Sequence, residues 1–269
     1  MQFYVALLTP FDTRGRVDLA RLRAHVLWLA AQGIDGFVPT GSTGEFLYLT
    51  DREREAIHRT VLDAARGRPV YPCTWDPSQS TTLFLTEAAR DQGASGVLLP
   101  PPLYYAVDDR VVRAWYEAVA GKGLPILAYH NPKHIHTGIS PALYDELRRS
   151  ELIAGLKDSS EDPHRLRRMA ALDPGAVLAG GDKMIGTAPR IPNLGGFISA
   201  IANVWPSFCL RLFRSGESQL EDALVDRVNR IRAAGGLRAL KALLRMGCRA
   251  PLIEPLDAEL IGLPPAEGP

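Results

Sequence analysis

Residues 125–157 read PILAYHNPKHIHTGISPALYDELRRSELIAGLK. Two short apolar runs, 125–129 and 153–157, enclose a helix-like stretch at 141–149. Short runs rich in Val, Ile, Leu or Ala and bounded by Gly, Pro or Asp describe strands buried on both faces, as in a parallel sheet. The same unit recurs outward in both directions. Further runs occur at 3–8, 36–39, 70–73, 96–99, 176–179 and 196–200, with helix-like stretches at 18–31, 51–64, 81–92, 109–120, 163–172 and 182–189. The second of these opens on Thr50-Asp-Arg-Glu53, a helix start with an acid three residues after its cap. Eight strand-like runs, each followed by a helix, predict an α/β protein: a (β/α)8 TIM barrel over 1–205. A doubly wound open sheet is the rival, but no Gly-x-Gly-x-x-Gly turn follows the first strand. Residues 206–269 read as the last barrel helix and a helical extension of the same domain (220–233 and 237–246), ending in a proline-rich tail.

Composition excludes several classes of partner. The 269 residues are 46% hydrophobic and 23% charged, enough apolar material for one large core. A net charge of +1, with the signs interspersed, offers no basic face for nucleic acid. No apolar run approaches the roughly 18 residues a membrane span requires, and the N-terminus lacks a signal-like pattern. Cys73, Cys209 and Cys248 are too few and too scattered for a disulfide framework or a zinc ribbon. The expectation is a cytoplasmic globular protein acting on a small molecule without a cofactor.

In a barrel, chemistry sits at the C-terminal ends of the strands. Lysine is scarce, five residues among 31 basic ones, so each can be weighed separately. Lys157 ends the run 153–157, where lost hydration frees the amine to attack carbonyls; pairing with Asp158 is the structural alternative. Lys133 and Lys183 lie in loops that could line a mouth, and Lys122 and Lys241 read as surface residues. Tyr129 ends the neighbouring run, where its phenol is placed to move protons. Ser42 and Thr43, within Gly41-Ser-Thr-Gly-Glu45, offer hydroxyls and amides as a carboxylate cradle, although glycine and serine also make plain turns. His130, His134 and His136 invite a metal reading, but no carboxylate or cysteine joins them and Lys133 would repel a cation, so no metal is expected.

Taken together, the motifs resemble the dihydrodipicolinate synthase / N-acetylneuraminate lyase family. The likeness is collinear: Leu-Leu-Thr-Pro-Phe-Asp (7–12), Gly-Ser-Thr-Gly-Glu-Phe (41–46), Pro-Leu-Tyr-Tyr (102–105), Tyr-His-Asn-Pro (129–132) with Thr-Gly (137–138), Gly-Leu-Lys-Asp-Ser (155–159), Ala-Gly-Gly-Asp (179–182), Gly-Gly-Phe-Ile-Ser-Ala-Ile-Ala-Asn-Val (195–204) and Cys-Arg-Ala-Pro-Leu (248–252). The resemblance implies a class I aldolase in which Lys157 forms a Schiff base with pyruvate or another 2-oxo acid and Tyr129 moves protons. It also implies that Ser42 and Thr43 hold the 2-oxo acid carboxylate and that the Ile198 carbonyl faces the site. Tyr104 is then the tyrosine that reaches into a neighbouring subunit, in a homo-oligomer that is a dimer or, as is usual in the family, a homotetramer. Family members that make dihydrodipicolinate carry an arginine just before Thr-Gly; here His136 stands there, and the loop is two residues longer. The expectation is therefore reversible cleavage of a 4-hydroxy-2-oxo acid, such as a 2-keto-3-deoxy sugar acid, to pyruvate and an aldehyde, with His136 as a substrate contact. Synthase-type condensation or dehydration of a keto-deoxy sugar acid through the same imine is the alternative. A 2-oxo acid binding protein on a retired barrel and a metal-dependent aldolase are the further rivals.

Overall fold

The computed structural model describes residues 1–249 and 262–267. Seven parallel strands, β1 (Gln2–Ala6), β2 (Gly36–Val38), β3 (Val97–Leu99), β4 (Ile126–His130), β5 (Gly155–Asp158), β6 (Val177–Ala179) and β7 (Gly196–Ser199), lie side by side in the order β2-β1-β7-β6-β5-β4-β3. Every strand is buried on both faces apart from the first residue of β1. The gap between β2 and β3 is filled by residues 70–73. There Tyr71 and Cys73 donate to the carbonyls of Phe37 (2.9 Å) and Pro39 (3.0 Å), while Ser95 and Leu98 donate to those of Val70 (3.0 Å) and Pro72 (2.9 Å). The eighth barrel position is thus occupied, but by bridges rather than the expected continuous strand, because Pro69 and Pro72 have no N–H to give.

Helices α1 (Leu19–Ala31), α2 (Asp51–Ala65), α3 (Gln79–Asp91), α4 (Asp109–Ala120), α5 (Pro141–Arg149), α6 (Pro163–Leu172) and α7 (Pro206–Ser215) form the outer ring. The predicted start of α2 is present in full: Thr50 Oγ1 accepts from the Glu53 amide, and the Glu53 carboxylate accepts from the Thr50 amide. The helix expected at 182–189 is instead two single 3₁₀ turns, Asp182–Met184 and Ala188–Arg190. Pro189 explains the break, since it can neither donate to nor fit against the carbonyl of residue 185 in a continuous helix.

Beyond the ring, α8 (Ser218–Ala233) and α9 (Leu237–Leu243) send Leu224, Val228, Ile231, Ala239 and Leu240 into the same core as the barrel. Of the tail, Glu267 accepts hydrogen bonds from the Ser207 and Phe208 amides at the start of α7. Most of the expected proline-rich tail, and the 248–252 motif beyond Arg249, lie outside the described residues. Among the described residues no helix is long and apolar enough to cross a membrane.

Candidate active site

The register of β4 against β5 pairs Tyr129 with Lys157 across adjacent strands at the C-terminal end of the barrel. Both side chains are buried, and the Lys157 ammonium nitrogen lies 4.4 Å from the centre of the Tyr129 ring. The Tyr129 hydroxyl accepts a hydrogen bond from Asn131 Nδ2 at 2.8 Å, which fixes the phenol from the loop that follows its own strand. Gly180, after β6, makes room for the lysine. A Cβ there would run into Ser159 Oγ and come within 3.3 Å of Lys157 Cε.

Two cavities open at this end of the barrel; Tyr129 lines one of them, and Lys157 lies behind its ring. One, of about 360 Å³, is lined by Ser42, Cys73, Tyr129, His134 and Leu237 together with the apolar groups of Phe46, Leu103 and Ile135. The other, of about 300 Å³, shares Ser42, His134 and Leu237 and adds Thr43, Asp182 and Arg232. The loop after β2 therefore serves both. Within it, the amides of Gly44, Glu45 and Phe46 are consumed by the turn itself, bonded to the Gly41 and Ser42 carbonyls. The cradle expected there is thus left to the amides and hydroxyls of Ser42 and Thr43. Asp182 closes the opposite wall: its carboxylate accepts from Ser199 Oγ (2.8 Å) and from the amides of Ala200 (3.0 Å) and Ile201 (3.1 Å). Burial raises the carboxyl pKa of Asp182, and those three donors oppose the rise.

The remaining expected residues divide. Ile198 lies in β7 beside Tyr4, with its side chain buried. Tyr104 is 81% exposed and packs edge-on against Tyr105; Thr137 steadies this segment, accepting from the Val107 amide and donating to the Tyr105 carbonyl. His136 is exposed, whereas His134 is the histidine that lines both cavities. His130 is buried, takes the Ile139 amide on Nδ1, and has its pKa lowered by burial, so it is a neutral packing group. Among the described residues no cluster of histidine, cysteine and carboxylate is placed to hold a metal.

Lys241 corrects the surface reading. It is fully buried, ion-paired with Glu45, and stands 4.3 Å from the centre of the Phe11 ring. Burial pushes the Glu45 carboxyl up and the Lys241 ammonium down, each opposed by the other's charge. Glu45 lines the larger cavity and adopts a left-handed backbone (φ 60°), so this pair fastens the Ser42–Thr43 loop to α9. Sequence reading missed it because the partners stand 196 residues apart.

A buried lysine beside a buried tyrosine at the C-terminal mouth of a (β/α)8 barrel stands on the face where such barrels carry out catalysis. The chain belongs to the dihydrodipicolinate synthetase family, whose sequence model matches residues 1–248. It is 33% identical over 222 residues to a 4-hydroxy-tetrahydrodipicolinate synthase of Methanospirillum hungatei, covering 80% of this chain and 75% of the relative. A Jannaschia protein of the same name is 34% identical over 212 residues, covering 76% and 71%. The fold also superimposes on dihydrodipicolinate synthase from Aquifex aeolicus (TM-score 0.87, 24% identity, 97% and 95% of the chains). It superimposes equally on N-acetylneuraminate lyase from Mycoplasma synoviae (TM-score 0.86, 22% identity, 97% and 94%).

Proposed function

We propose that the chain is an imine-forming lyase that makes or breaks a carbon–carbon bond at C3 of pyruvate. The observation that carries this reading is the placement of Lys157 beside Tyr129, with Ser42 lining the same cavity as Tyr129 and Thr43 next to it in the loop after β2. Lys157 Nζ adds to C2 of the 2-oxo acid and water leaves, giving a protonated imine held at its carboxylate by Ser42 and Thr43. The Tyr129 oxygen takes a C3 proton to give the enamine, whose C3 attacks an aldehyde carbon while Tyr129 returns that proton to the aldehyde oxygen. Water then hydrolyses the imine and frees Lys157. In reverse, the imine accepts the electron pair released when the C3–C4 bond breaks, a carbanion otherwise too unstable to form near neutrality.

Two readings share this sequence of steps. Condensation of pyruvate with an aldehyde that carries its own carboxylate, as in the synthases, has the support of the relatives' names. Cleavage of a 4-hydroxy-2-oxo acid is the second; it is favoured by His136 standing where the synthases place an arginine, since histidine does not supply the guanidinium fork. The exposed Tyr104 further supports a homo-oligomer in which one copy's Tyr104 completes its neighbour's site. Pyruvate consumption with a panel of acidic and neutral aldehydes, run beside pyruvate release from 4-hydroxy-2-oxo acids, separates the two readings. Lack of turnover in both directions, with pyruvate still bound, would leave a 2-oxo acid binding protein and contradict the proposal.

A further inference from the structure

Three charged side chains, Lys133, Glu161 and Arg232, meet in one cluster, and Arg232 among them lines the smaller cavity. Glu161, just after β5, accepts Lys133 Nζ at 2.6 Å on one carboxylate oxygen and Arg232 Nη2 at 2.5 Å on the other. The acid is the enclosed member, 16% exposed against 47% for Lys133 and 45% for Arg232. Its backbone is left-handed (φ 59°), a conformation that non-glycine residues rarely adopt. Gly181 lies beneath it, where a Cβ would press into the Glu161 side chain. Glu161 is thus fitted closely into a place between two cations brought from separate elements, the loop after β4 and the last turn of α8.

Arg232 also lines the cavity that contains Ser42 and Thr43, the groups assigned to the 2-oxo acid carboxylate. The other carboxylate on that wall, Asp182, is engaged by Ser199 and two backbone amides. A guanidinium that already holds a carboxylate at the mouth of a substrate cavity presents the donors an incoming carboxylate requires. We propose that Arg232, assisted by Lys133, is the subsite for a second carboxylate, carried by the aldehyde partner or by the dicarboxylic product. Glu161 fills that subsite until the ligand displaces it. The substrate class is then an aldehyde bearing a carboxylate, gripped from α8 rather than from the position of His136. This assignment rests on the imine reading, because the imine anchors the far end of the ligand.

Borohydride trapping at graded concentrations of pyruvate and of 2-oxoglutarate, whose second carboxylate lies three carbons beyond the imine carbon, tests it. Arg232→Ala is expected to raise the half-saturating concentration of 2-oxoglutarate about tenfold, as loss of one charge-assisted hydrogen bond would, and to leave that of pyruvate unchanged. Glu161→Gln is expected to lower the value for 2-oxoglutarate, because it removes the competing carboxylate. A clasp with only a structural role would be broken by either variant and would shift both ligands in the same direction. That result, or no shift in either variant, overturns the assignment. Absence of any adduct between the wild-type protein and pyruvate would instead overturn the imine reading, and the subsite with it.

Discussion

Tyr129 is held on both sides, its ring against the Lys157 ammonium and its hydroxyl against Asn131. Tyr129→Phe keeps the ring and removes the proton carrier. It is expected to lower kcat about 100-fold or more while pyruvate is still trapped on Lys157, as rapid-quench kinetics and intact-mass analysis would show. Two histidines away from the chemistry set a pH limit on stability. Burial lowers the pKa of His58 to about 3 and that of His25 to about 4, from an ordinary value of 6.5. In the unfolded chain both rings take up a proton near pH 6.5, whereas in the folded protein neither does until far lower. Their stabilising contribution is therefore complete above pH 6.5 and is lost as pH falls toward those lowered values. Between pH 6.5 and about pH 5 each is expected to cost about 2 kcal/mol, measured by urea unfolding, and His58→Gln should flatten the slope.

At the scale of elements, α9 is joined to the loop after β2 by the buried Lys241–Glu45 ion pair. Lys241→Met leaves the Glu45 carboxylate buried without its cation and is expected to cost about 3–5 kcal/mol; the double variant Lys241→Met/Glu45→Gln should cost less. Denaturant midpoints of the two single variants and the double give the coupling, and a coupling near zero would contradict the fastening role. Elements whose determinants are local were legible in the sequence. The capping box of α2 lies within four consecutive residues, and the strand ends bearing Tyr129 and Lys157 lie inside short apolar runs. Elements decided by partners far along the chain were not. Lys241, between Arg238 and Arg245 on a short terminal helix, carries no local sign of Glu45. The 182–189 segment has helical composition, but Pro189 and the use of Asp182 to bind amides divide it. The choice of His134 over His136 at the cavity turns on the path of one loop, which periodicity does not encode.

For the whole molecule, the barrel depends on its least regular position. Residues 70–75 are held by Arg54, 1% exposed, which donates to the carbonyls of Cys73 (2.9 Å) and Trp75 (2.8 Å). Arg54→Met leaves both carbonyls without that donor and is expected to cost roughly 2–5 kcal/mol in urea unfolding; an unchanged midpoint would mean that the strand bridges alone close the barrel. The site above that barrel contains two buried lysines, and the chemistry proposed needs only one of them. Peptide mapping by mass spectrometry after borohydride treatment with pyruvate distinguishes them. One reduced pyruvyl adduct per chain on Lys157, absent from Lys157→Ala, is the expected result. An adduct on Lys241, or no adduct on any lysine, would contradict the assignment of Lys157 as the imine-forming residue.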